Sequence, residues 1–289
     1  MQGRIVKGVG GLYFTDTEIG LLECKPKGKF RKDKIKPLVG DNVTVELLED
    51  GSGLISDISP RTSELIRPEV ANASQAMLVF AINAPKPNLN LADRFLINME
   101  MAGVPTVLVF NKSDLASDAE IETIKNGFSG SGYEIRFISA KKHEGTEELK
   151  ELLKGKTTVL AGPSGVGKST LVNFFLGREK METGELSEKI MRGKNTTRHS
   201  ELMKVDEDAW IFDTPGFTSF DVMGIEAGQL EKYYPEMCSC IGKCRFTGCS
   251  HISEPDCAVK EMLENGKISK NRYDNYVLLY NELKNRRKY

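Results

Sequence analysis

One stretch of eight residues has the residue types and the spacing of a phosphate-binding loop. Residues 162–169 read GPSGVGKS, which fits the pattern G-x-x-x-x-G-K-[ST], between the apolar segment TTVLA and the segment KSTLVNFFLG. Glycines let successive backbone N–H groups curl around phosphate oxygens, and the N-terminus of a helix adds a positive dipole. The residues expected to bind the phosphates of a nucleotide are Gly162, Pro163, Ser164, Gly165, Val166, Gly167, Lys168, Ser169 and Thr170.

A second motif, Asp213-Thr-Pro-Gly216, follows the apolar segment AWIF. An acid at the end of such a strand anchors Mg²⁺, and the N–H of Gly216 can meet the γ-phosphate. The polar residues 192–199 lie between the two motifs, and one threonine there can complete the Mg²⁺ shell, with Thr197 favoured slightly over Thr196. The residues predicted for catalysis are Lys168, Thr197 and Gly216, and the predicted magnesium ligands are Ser169, Thr197 and Asp213.

The base of the nucleotide is predicted from a third motif, N-K-x-D, at the end of the apolar segment TVLVF. Its carboxylate accepts hydrogen bonds from N1–H and the N2 amino group of guanine. Adenine has neither donor, so a buried carboxylate beside it would stay unsatisfied. A backbone N–H of the S-A-K sequence that closes the segment EIRFI is expected to meet guanine O6. The residues assigned to the base are Asn111, Lys112, Ser113, Asp114, Ser139, Ala140 and Lys141.

The residue after the D-T-P-G motif is Phe217, where many GTPases have a glutamine that orients the attacking water. A phenyl ring cannot do this, so intrinsic hydrolysis is predicted to be slow and to be completed by a partner or by a residue of the 192–199 segment. Asn195 and His199 are the candidates there. His199 fits a solvated position at the start of the segment HSELMKV somewhat better.

Five of the six cysteines lie between positions 238 and 257. Because the N-terminus lacks the apolar run of a secretory signal, a metal site is expected rather than a disulfide framework. Tetrahedral zinc takes four ligands, and four protein ligands make a zinc site structural. Two alternatives to the ligand set named next remain open. In one, Cys238 or Cys240 replaces one of its four ligands; in the other, an open coordination position and an acid such as Glu254 make the zinc catalytic. The predicted ligands are Cys244, Cys249, His251 and Cys257.

The nucleotide motifs all follow apolar segments, and helical patterns lie between these segments. This alternation predicts a mostly parallel sheet with helices on both faces and the ligand at the carboxyl ends of the strands. N-K-x-D precedes the phosphate loop, whereas most GTPases have it afterwards, so the motif order is circularly permuted. The chain after D-T-P-G then leads directly into the cysteine-rich region, and we hypothesise that the nucleotide moves this region as a unit. Unchanged protease sensitivity of residues 225–234 in the two nucleotide states would contradict that hypothesis.

Residues 1–66 contain short strand patterns separated by glycine and Asp-Gly turns, which predict a small closed β-barrel. The OB-fold is the leading candidate, and an SH3-like barrel has nearly the same pattern. Phe30 lies in a lysine-rich loop, a setting that suits RNA backbone contacts and base stacking. Cys24 is predicted to be a buried apolar residue, and residues 60–75 a polar linker.

The C-terminal residues 225–289 are predicted to be helical around the cysteines, over segments 226–237, 257–266 and a last helix. Five residues of that last helix share one face, which is predicted to be packing surface. They are Tyr273, Tyr276, Val277, Tyr280 and Leu283. The predicted domains are therefore a barrel at 1–66, a P-loop GTPase domain of the α/β class at 67–224 and an α-helical zinc-binding module at 225–289.

The net charge of −1 hides an uneven distribution. Residues 1–40 and 265–289 each carry +5, so the rest carries −11. Basic ends favour a polyanion such as nucleic acid, although solvated lysine-rich loops are an equally good explanation of charge alone. No segment approaches the roughly 18 apolar residues of a membrane span. The protein is predicted to be cytoplasmic, monomeric and independent of membranes.

Taken together, these motifs and their order resemble the ribosome small-subunit-dependent GTPase A (RsgA) family over essentially the whole chain. The resemblance implies an N-terminal OB barrel, a circularly permuted GTPase domain and a C-terminal zinc module. It also implies binding to the small ribosomal subunit and its rRNA late in maturation, GTP hydrolysis stimulated there, and help in releasing assembly factors. The family commonly has a histidine followed by threonines in the switch loop, where this chain has Asn195, Thr196 and Thr197.

Two other functions are compatible with the residues. One is an RNA-binding scaffold in which GTP signals occupancy, which undetectable turnover with any RNA or ribosomal particle would favour. The other is a GTPase that acts on a non-ribosomal protein or a membrane partner. The basic barrel argues against this second function, and absence of binding to ribosomal subunits would revive it.

Overall fold

The computed structural model describes residues 1–177, 200–214 and 216–286. The strands are β1 (Gln2–Val9), β2 (Leu12–Thr17), β3 (Gly20–Pro26), β4 (Asn42–Leu47), β5 (Gly53–Ile58), β6 (Glu64–Ile66), β7 (Glu69–Ala71), β8 (Gln75–Ala81), β9 (Thr106–Asn111), β10 (Glu134–Ile138), β11 (Thr157–Ala161), β12 (Glu201–Lys204) and β13 (Trp210–Asp213). The α-helices are α1 (Lys29–Lys32), α2 (Leu89–Met101), α3 (Asp118–Gly127), α4 (Thr146–Glu151), α5 (Lys168–Leu176), α6 (Pro235–Cys238), α7 (Ala258–Glu264) and α8 (Lys270–Asn285).

The N-terminal strands close into a five-stranded barrel in the order β1-β2-β3-β5-β4, with β4 paired back to β1. Strands β3 and β5 are parallel, and Cys24 lies opposite Gly53. Inward-facing apolar residues fill the barrel, and Cys24 is fully buried among them, as predicted. The order and the closure are those of the predicted OB-type barrel.

The lysine-rich loop after β3 differs from the prediction. Phe30 lies on the short helix α1, is only 4% exposed and packs into the barrel core, so the prediction that its ring suits base stacking was wrong. Removing a phenyl ring from water is favourable, and α1 achieves this while its lysines stay in solvent.

The segment predicted as a linker is packed structure. Residues 60–75 contain the hairpin of β6 and β7, in which Leu65 and Val70 are buried. Arg61 makes hydrogen bonds to both carboxylate oxygens of the buried Asp41, at 2.8 Å each. The apolar residues of this polar-looking segment therefore cover the barrel, and the linker prediction was wrong.

The central domain has the predicted α/β architecture. Strands β10, β9, β8, β11 and β13 lie side by side and are parallel, and β12 is antiparallel. Helices α2 and α3 cover one face, and α4 and α5 cover the other. Strand β12 also pairs with β1 through Glu201 and Lys7, so the barrel and the central sheet are continuous.

The C-terminal region is helical, with one difference from the prediction. Residues 226–237 form a 3-10 helix at Ala227–Tyr233 and then the short α6 instead of one helix. Pro235 lacks a backbone N–H and keeps Tyr234 extended, at φ −115° and ψ 98°. The 3-10 helix therefore ends at Tyr233. Helices α7 and α8 are confirmed, and the tyrosine stripe of α8 packs in the core of this region. The boundaries 66/67 and 224/225 stay predictions.

Among the helices in the described part of the chain, none has the length and apolar character needed to cross a membrane.

Candidate functional site

The nucleotide motifs meet at one edge of the central sheet. Asn111, the last residue of β9, lies opposite Ile138 of β10 and Ala81 of β8. Leu160 of β11 lies opposite Asp213, the last residue of β13. Because these strands are parallel, their carboxyl ends carry N-K-x-D, S-A-K, the phosphate loop and D-T-P-G along a single edge, as predicted.

Two glycines of the phosphate loop are required by close packing. A Cβ on Gly162 would lie 2.1 Å from the carbonyl oxygen of Val79, and one on Gly167 would lie 2.3 Å from Nδ2 of Asn111. Both glycines also have positive φ, 148° and 101°, which side chains disfavour. Val166 between them is fully buried and holds the loop to the core, and α5 begins at Lys168.

The first two residues of N-K-x-D hold the phosphate loop in place. Asn111 Nδ2 donates to the carbonyl oxygen of Val166 at 2.8 Å, and its Oδ1 accepts from the N–H groups of Lys112 and Ala140. Lys112 Nζ donates to the carbonyl oxygen of Gly165 at 2.9 Å. These contacts tie the base-recognition end of the site to its phosphate end.

Asp114 lies in the 3-10 turn Ser113–Leu115 just after Lys112, with its carboxylate partly accessible. The hydroxyl of Ser139 donates to its Oδ1 at 2.7 Å. This hydrogen bond lowers the pKa of Asp114 below its ordinary value, so the carboxylate stays an acceptor at neutral pH. Ser139 N–H donates to Glu144, which leaves Lys141 as the residue of S-A-K whose N–H has no acceptor in the described part of the chain.

Lys168 lies at the start of α5 and is held by its own loop. Its Nζ donates to the carbonyl oxygens of Gly162 at 2.8 Å and Pro163 at 2.7 Å. Burial lowers the pKa of Lys168 to about 8, and the nearby Asp213 carboxylate offsets only part of this. Near neutral pH the ammonium is therefore charged but close to its titration range.

This pKa predicts a pH dependence of nucleotide affinity. Phosphate oxygens stabilise the protonated amine, so binding raises its pKa and affinity falls as pH rises through about 8. Between about pH 7 and about pH 8.7 the dissociation constant of GDP should increase about fivefold. Titration of a fluorescent GDP over this range measures the slope. Lys168→Met should bind weakly with no such slope, and an equal slope in both proteins would contradict the prediction.

The D-T-P-G motif lies against the phosphate loop. A Cβ on Gly216 would come within 3.1 Å of Lys168 Nζ and of the N–H nitrogen of Ser164. The hydroxyl of Thr214 donates to the carbonyl oxygen of Leu160 at 2.8 Å, which fixes the end of β13 to β11. Thr197, the predicted magnesium ligand, lies outside the described residues, as do Thr196, Asn195 and His199.

Phe217 packs in an aromatic cluster. Its ring is stacked on Phe95 of α2, with centroids 5.7 Å apart, and its edge meets Phe220 at 5.1 Å. An apolar ring held this way cannot orient a water molecule, which agrees with the sequence-based expectation.

The four predicted zinc ligands form one cluster. The donor atoms of Cys244, Cys249, His251 and Cys257 all lie within 4.8 Å of one another. Cys244 Sγ is 3.8 Å from Cys257 Sγ, and His251 Nδ1 is 3.5 and 3.3 Å from these two sulfurs. Tetrahedral zinc with Zn–S bonds of about 2.3 Å separates its ligand atoms by about 3.8 Å, so the residues fit zinc.

Neither of the alternative thiols belongs to this cluster. Cys238 is exposed and its Sγ contacts backbone carbonyl oxygens. Cys240 is buried against the sulfur of Met262, at 3.0 Å. Both carboxylate oxygens of Glu254 accept hydrogen bonds from the metal loop, from Ser250 and from Ile252, and Glu254 is not part of the cluster. Burial alone would raise the pKa of Glu254, but these hydrogen bonds outweigh burial and lower it to about 2, so the carboxyl is a poor proton donor.

Three residues that support the metal loop were missed in the sequence. Glu231 Oε2 lies 2.5 Å from His251 Nε2, which orients Nδ1 towards the sulfurs. The hydroxyls of Tyr273 and Tyr276 donate to the carbonyl oxygens of His251 and Ser250. The tyrosines had been predicted only as packing residues, and no spacing rule connects Glu231 to the cysteines.

Comparisons with known proteins agree with this geometry. A family model described as RsgA GTPase matches residues 58–223, and one described as RsgA N-terminal domain matches residues 2–55. The chain is 51% identical over 287 residues to a small ribosomal subunit biogenesis GTPase RsgA of Clostridium perfringens, covering 99% of each chain. It is 50% identical over 302 residues to the protein of that name from Agathobacter rectalis, covering 100% of each.

Two crystal structures are similar throughout. YjeQ from Thermotoga maritima has a TM-score of 0.82 at 36% identity and covers 99% of both chains. YloQ, described as a circularly permuted GTPase, has a TM-score of 0.79 at 32% identity, covering 100% of this chain and 96% of that one. The chain therefore belongs to the RsgA GTPase family and is a GTP hydrolase whose motifs are circularly permuted.

Proposed function

We propose that this GTPase binds the small ribosomal subunit through its rRNA, assists late maturation of the subunit, and hydrolyses GTP faster when bound to it. The names of the curated relatives support a role in biogenesis of the small subunit. The observation that carries the proposal is a cleft lined both by the barrel and by the D-T-P-G motif. RNA held by the barrel would touch the segment next to the γ-phosphate.

This cleft has a volume of about 620 Å³. Its walls are the β1–β2 hairpin, the turn between β6 and β7 and residues 216–220. Lys36 and Arg67 line it, with Tyr13 as a flat half-buried ring. Lys36 pairs with Glu69, whereas Arg67 is exposed and forms no ion pair within the described residues. An RNA phosphate and a stacked base suit this lining.

Within the nucleotide site, each predicted residue has a proposed role. Asp114 accepts from guanine N1–H and N2, and the N–H of Lys141 donates to O6. Lys168 binds the β- and γ-phosphates, and the N–H of Gly216 binds the γ-phosphate. Ser169, Thr197 and Asp213 are the proposed magnesium ligands. The remaining loop residues other than Pro163, which has no backbone N–H, supply N–H groups to the phosphates.

The cysteine cluster is proposed to hold one structural zinc through Cys244, Cys249, His251 and Cys257. When bound, zinc cross-links a loop that has little regular structure of its own. We also propose that the protein is a cytoplasmic monomer.

The function is tested by the rate of GTP hydrolysis with and without purified small subunits, with ATP as the control nucleotide. Subunits should raise the GTP rate at least about tenfold. Arg67→Ala should lower the ratio of stimulated to unstimulated rate at least about threefold, because a phosphate contact is lost. Lys125→Ala, an exposed lysine on α3 outside the cleft, serves as the matched control. A rate unmoved by subunits would contradict the proposal and direct the search to another partner.

A further inference from the structure

Helix α2 is buried on two sides. Phe95 and Met99 belong to the core beneath the central sheet, whereas Ile97 belongs to the core of the C-terminal region. Asp93, two residues before Phe95, is also fully buried. A shift of α2 would therefore disturb both the nucleotide domain and the C-terminal region.

On its first side, α2 carries the chain that follows Gly216. Phe95 is parallel to Phe217, with 4° between the ring planes, and meets Phe220 edge-on at 5.4 Å. Asn98 Nδ2 donates to the carbonyl oxygen of Asp221 at 3.3 Å. Residues 217–221 thus lie along α2, immediately after the glycine that faces Lys168.

On its second side, α2 is held by helix α8. The fully buried Arg272 pairs with Asp93 at 2.5 Å and with Glu236 of α6 at 2.7 Å. Asn275 Nδ2 donates to the other oxygen of Asp93 at 2.6 Å. Buried charges tolerate little displacement, because a separated partner is left without solvent or a counter-charge.

A third contact joins α8 to the same chain after Gly216. Arg286 Nη1 donates to the carbonyl oxygen of Val222 at 2.6 Å. At the rim, Arg94 of α2 pairs with Glu282 of α8 through both carboxylate oxygens, at 2.6 Å each. The segment 217–222, α2 and α8 are therefore in direct contact with one another and pack as one unit.

We propose that Phe95 is a positioning residue for Gly216, and that Arg272 makes this position depend on the C-terminal module by fixing α2. The inference rests on the proposed contact between Gly216 and the γ-phosphate. If γ-phosphate favours one position of residues 216–221, it also favours one state of the contact between α2 and α8. By linkage, a partner that binds one state of the module more tightly than the other then changes the preference for GTP over GDP.

The first test uses Phe95→Leu, with Phe128→Leu as the matched control. Phe128 is equally buried beneath the sheet but packs against Phe110, away from Gly216. The readout is the ratio of the dissociation constants of GDP and a non-hydrolysable GTP analogue with Mg²⁺. Phe95→Leu should change this ratio at least about fivefold, the lower range of allosteric coupling, and the control less than about twofold.

A second variant keeps the inference falsifiable if Phe95→Leu does not fold. Phe217 is half-buried, so Phe217→Leu should fold, remove the same stack and shift the ratio in the same direction. A ratio unchanged in every folded variant of this pair overturns the inference. Wild-type protein that binds guanine nucleotides but does not distinguish GTP from GDP overturns the assignment of Gly216 itself, which separates the two failures.

The module supplies a readout that a merely local role would not change. Amide hydrogen exchange of residues 270–286 should differ between the GDP and GTP-analogue states of the wild type, and Phe95→Leu or Phe217→Leu should remove this difference. Equal exchange in the two wild-type states would overturn the link to Arg272.

Discussion

Replacing Asp114 with asparagine is expected to weaken GTP binding about 100-fold to 10,000-fold. The carboxylate is proposed to accept two hydrogen bonds from guanine, and a hydrogen bond to a charged group contributes about 1.5–3 kcal/mol. Asparagine keeps one acceptor oxygen but turns an amino group towards the N2 amino group of guanine. Two donors then face each other, so one bond is lost and the other is weakened.

The same variant should gain affinity for xanthosine triphosphate, because the oxygen at C2 of xanthine accepts from the asparagine amino group. Competition against a fluorescent guanine nucleotide measures both affinities. Asp118→Asn, an exposed acid at the start of α3, is the matched control and should bind GTP like the wild type. Undiminished GTP affinity in Asp114→Asn would remove Asp114 from the base site.

The nucleotide site could be predicted from the sequence because its chemistry depends on the backbone. Gly162 and Gly167 leave room for a neighbouring carbonyl oxygen and for Asn111, and only glycine fits there. Such constraints fix residue types at fixed spacing, so a short motif carries them. Parallel strands then bring distant motifs to one edge of the sheet. This arrangement can be predicted from the alternation of strand and helix patterns alone.

Contacts between distant side chains could not be predicted this way. Arg272 counts towards the basic C-terminus in the sequence, yet it is buried between Asp93 and Glu236. Lys27, Lys29 and Lys36 of the basic N-terminus likewise pair with acids. Charge sums describe composition and do not identify which cations are buried or paired with acids, so the basic ends overstate the charge available to a polyanion.

The predictions for Phe30 and for residues 60–75 were wrong for a related reason. A phenylalanine among lysines has the same local sequence whether its ring faces solvent or the barrel. The burial depends on where α1 crosses the barrel, which is a tertiary property. Hairpin β6–β7 is short and has Pro68 in its turn, so its three buried residues gave no periodicity to detect.

Replacing Cys257 with alanine is expected to abolish stoichiometric zinc and to unfold the C-terminal module. Structural zinc contributes about 10–16 kcal/mol to the folding of small zinc domains, more than the whole stability of a typical domain. Cys257 precedes α7 and is itself buried in the core formed by Tyr234, Met237 and Tyr276. Loss of the metal therefore releases both the loop and the helices packed on it.

Metal analysis and limited proteolysis of residues 225–286 measure the two effects. Cys238→Ala is the control, because this thiol is exposed and lies outside the cluster. It should keep one zinc per chain and wild-type protection. A zinc-loaded, protease-resistant Cys257→Ala protein would exclude Cys257 as a ligand, and zinc loss in Cys238→Ala would add Cys238 to the set.

Guanine nucleotide binding by Cys257→Ala decides how far the loss of the module reaches. The motif residues lie on the central sheet, so the variant should still bind GDP. Unfolding the module separates Arg272 from Asp93, and α2 then keeps only its contacts with the sheet and with residues 217–221. The preference for the GTP analogue over GDP should therefore change in the same direction as in Phe95→Leu. An unchanged preference in a zinc-free, GDP-binding protein would show that the nucleotide site does not depend on the module.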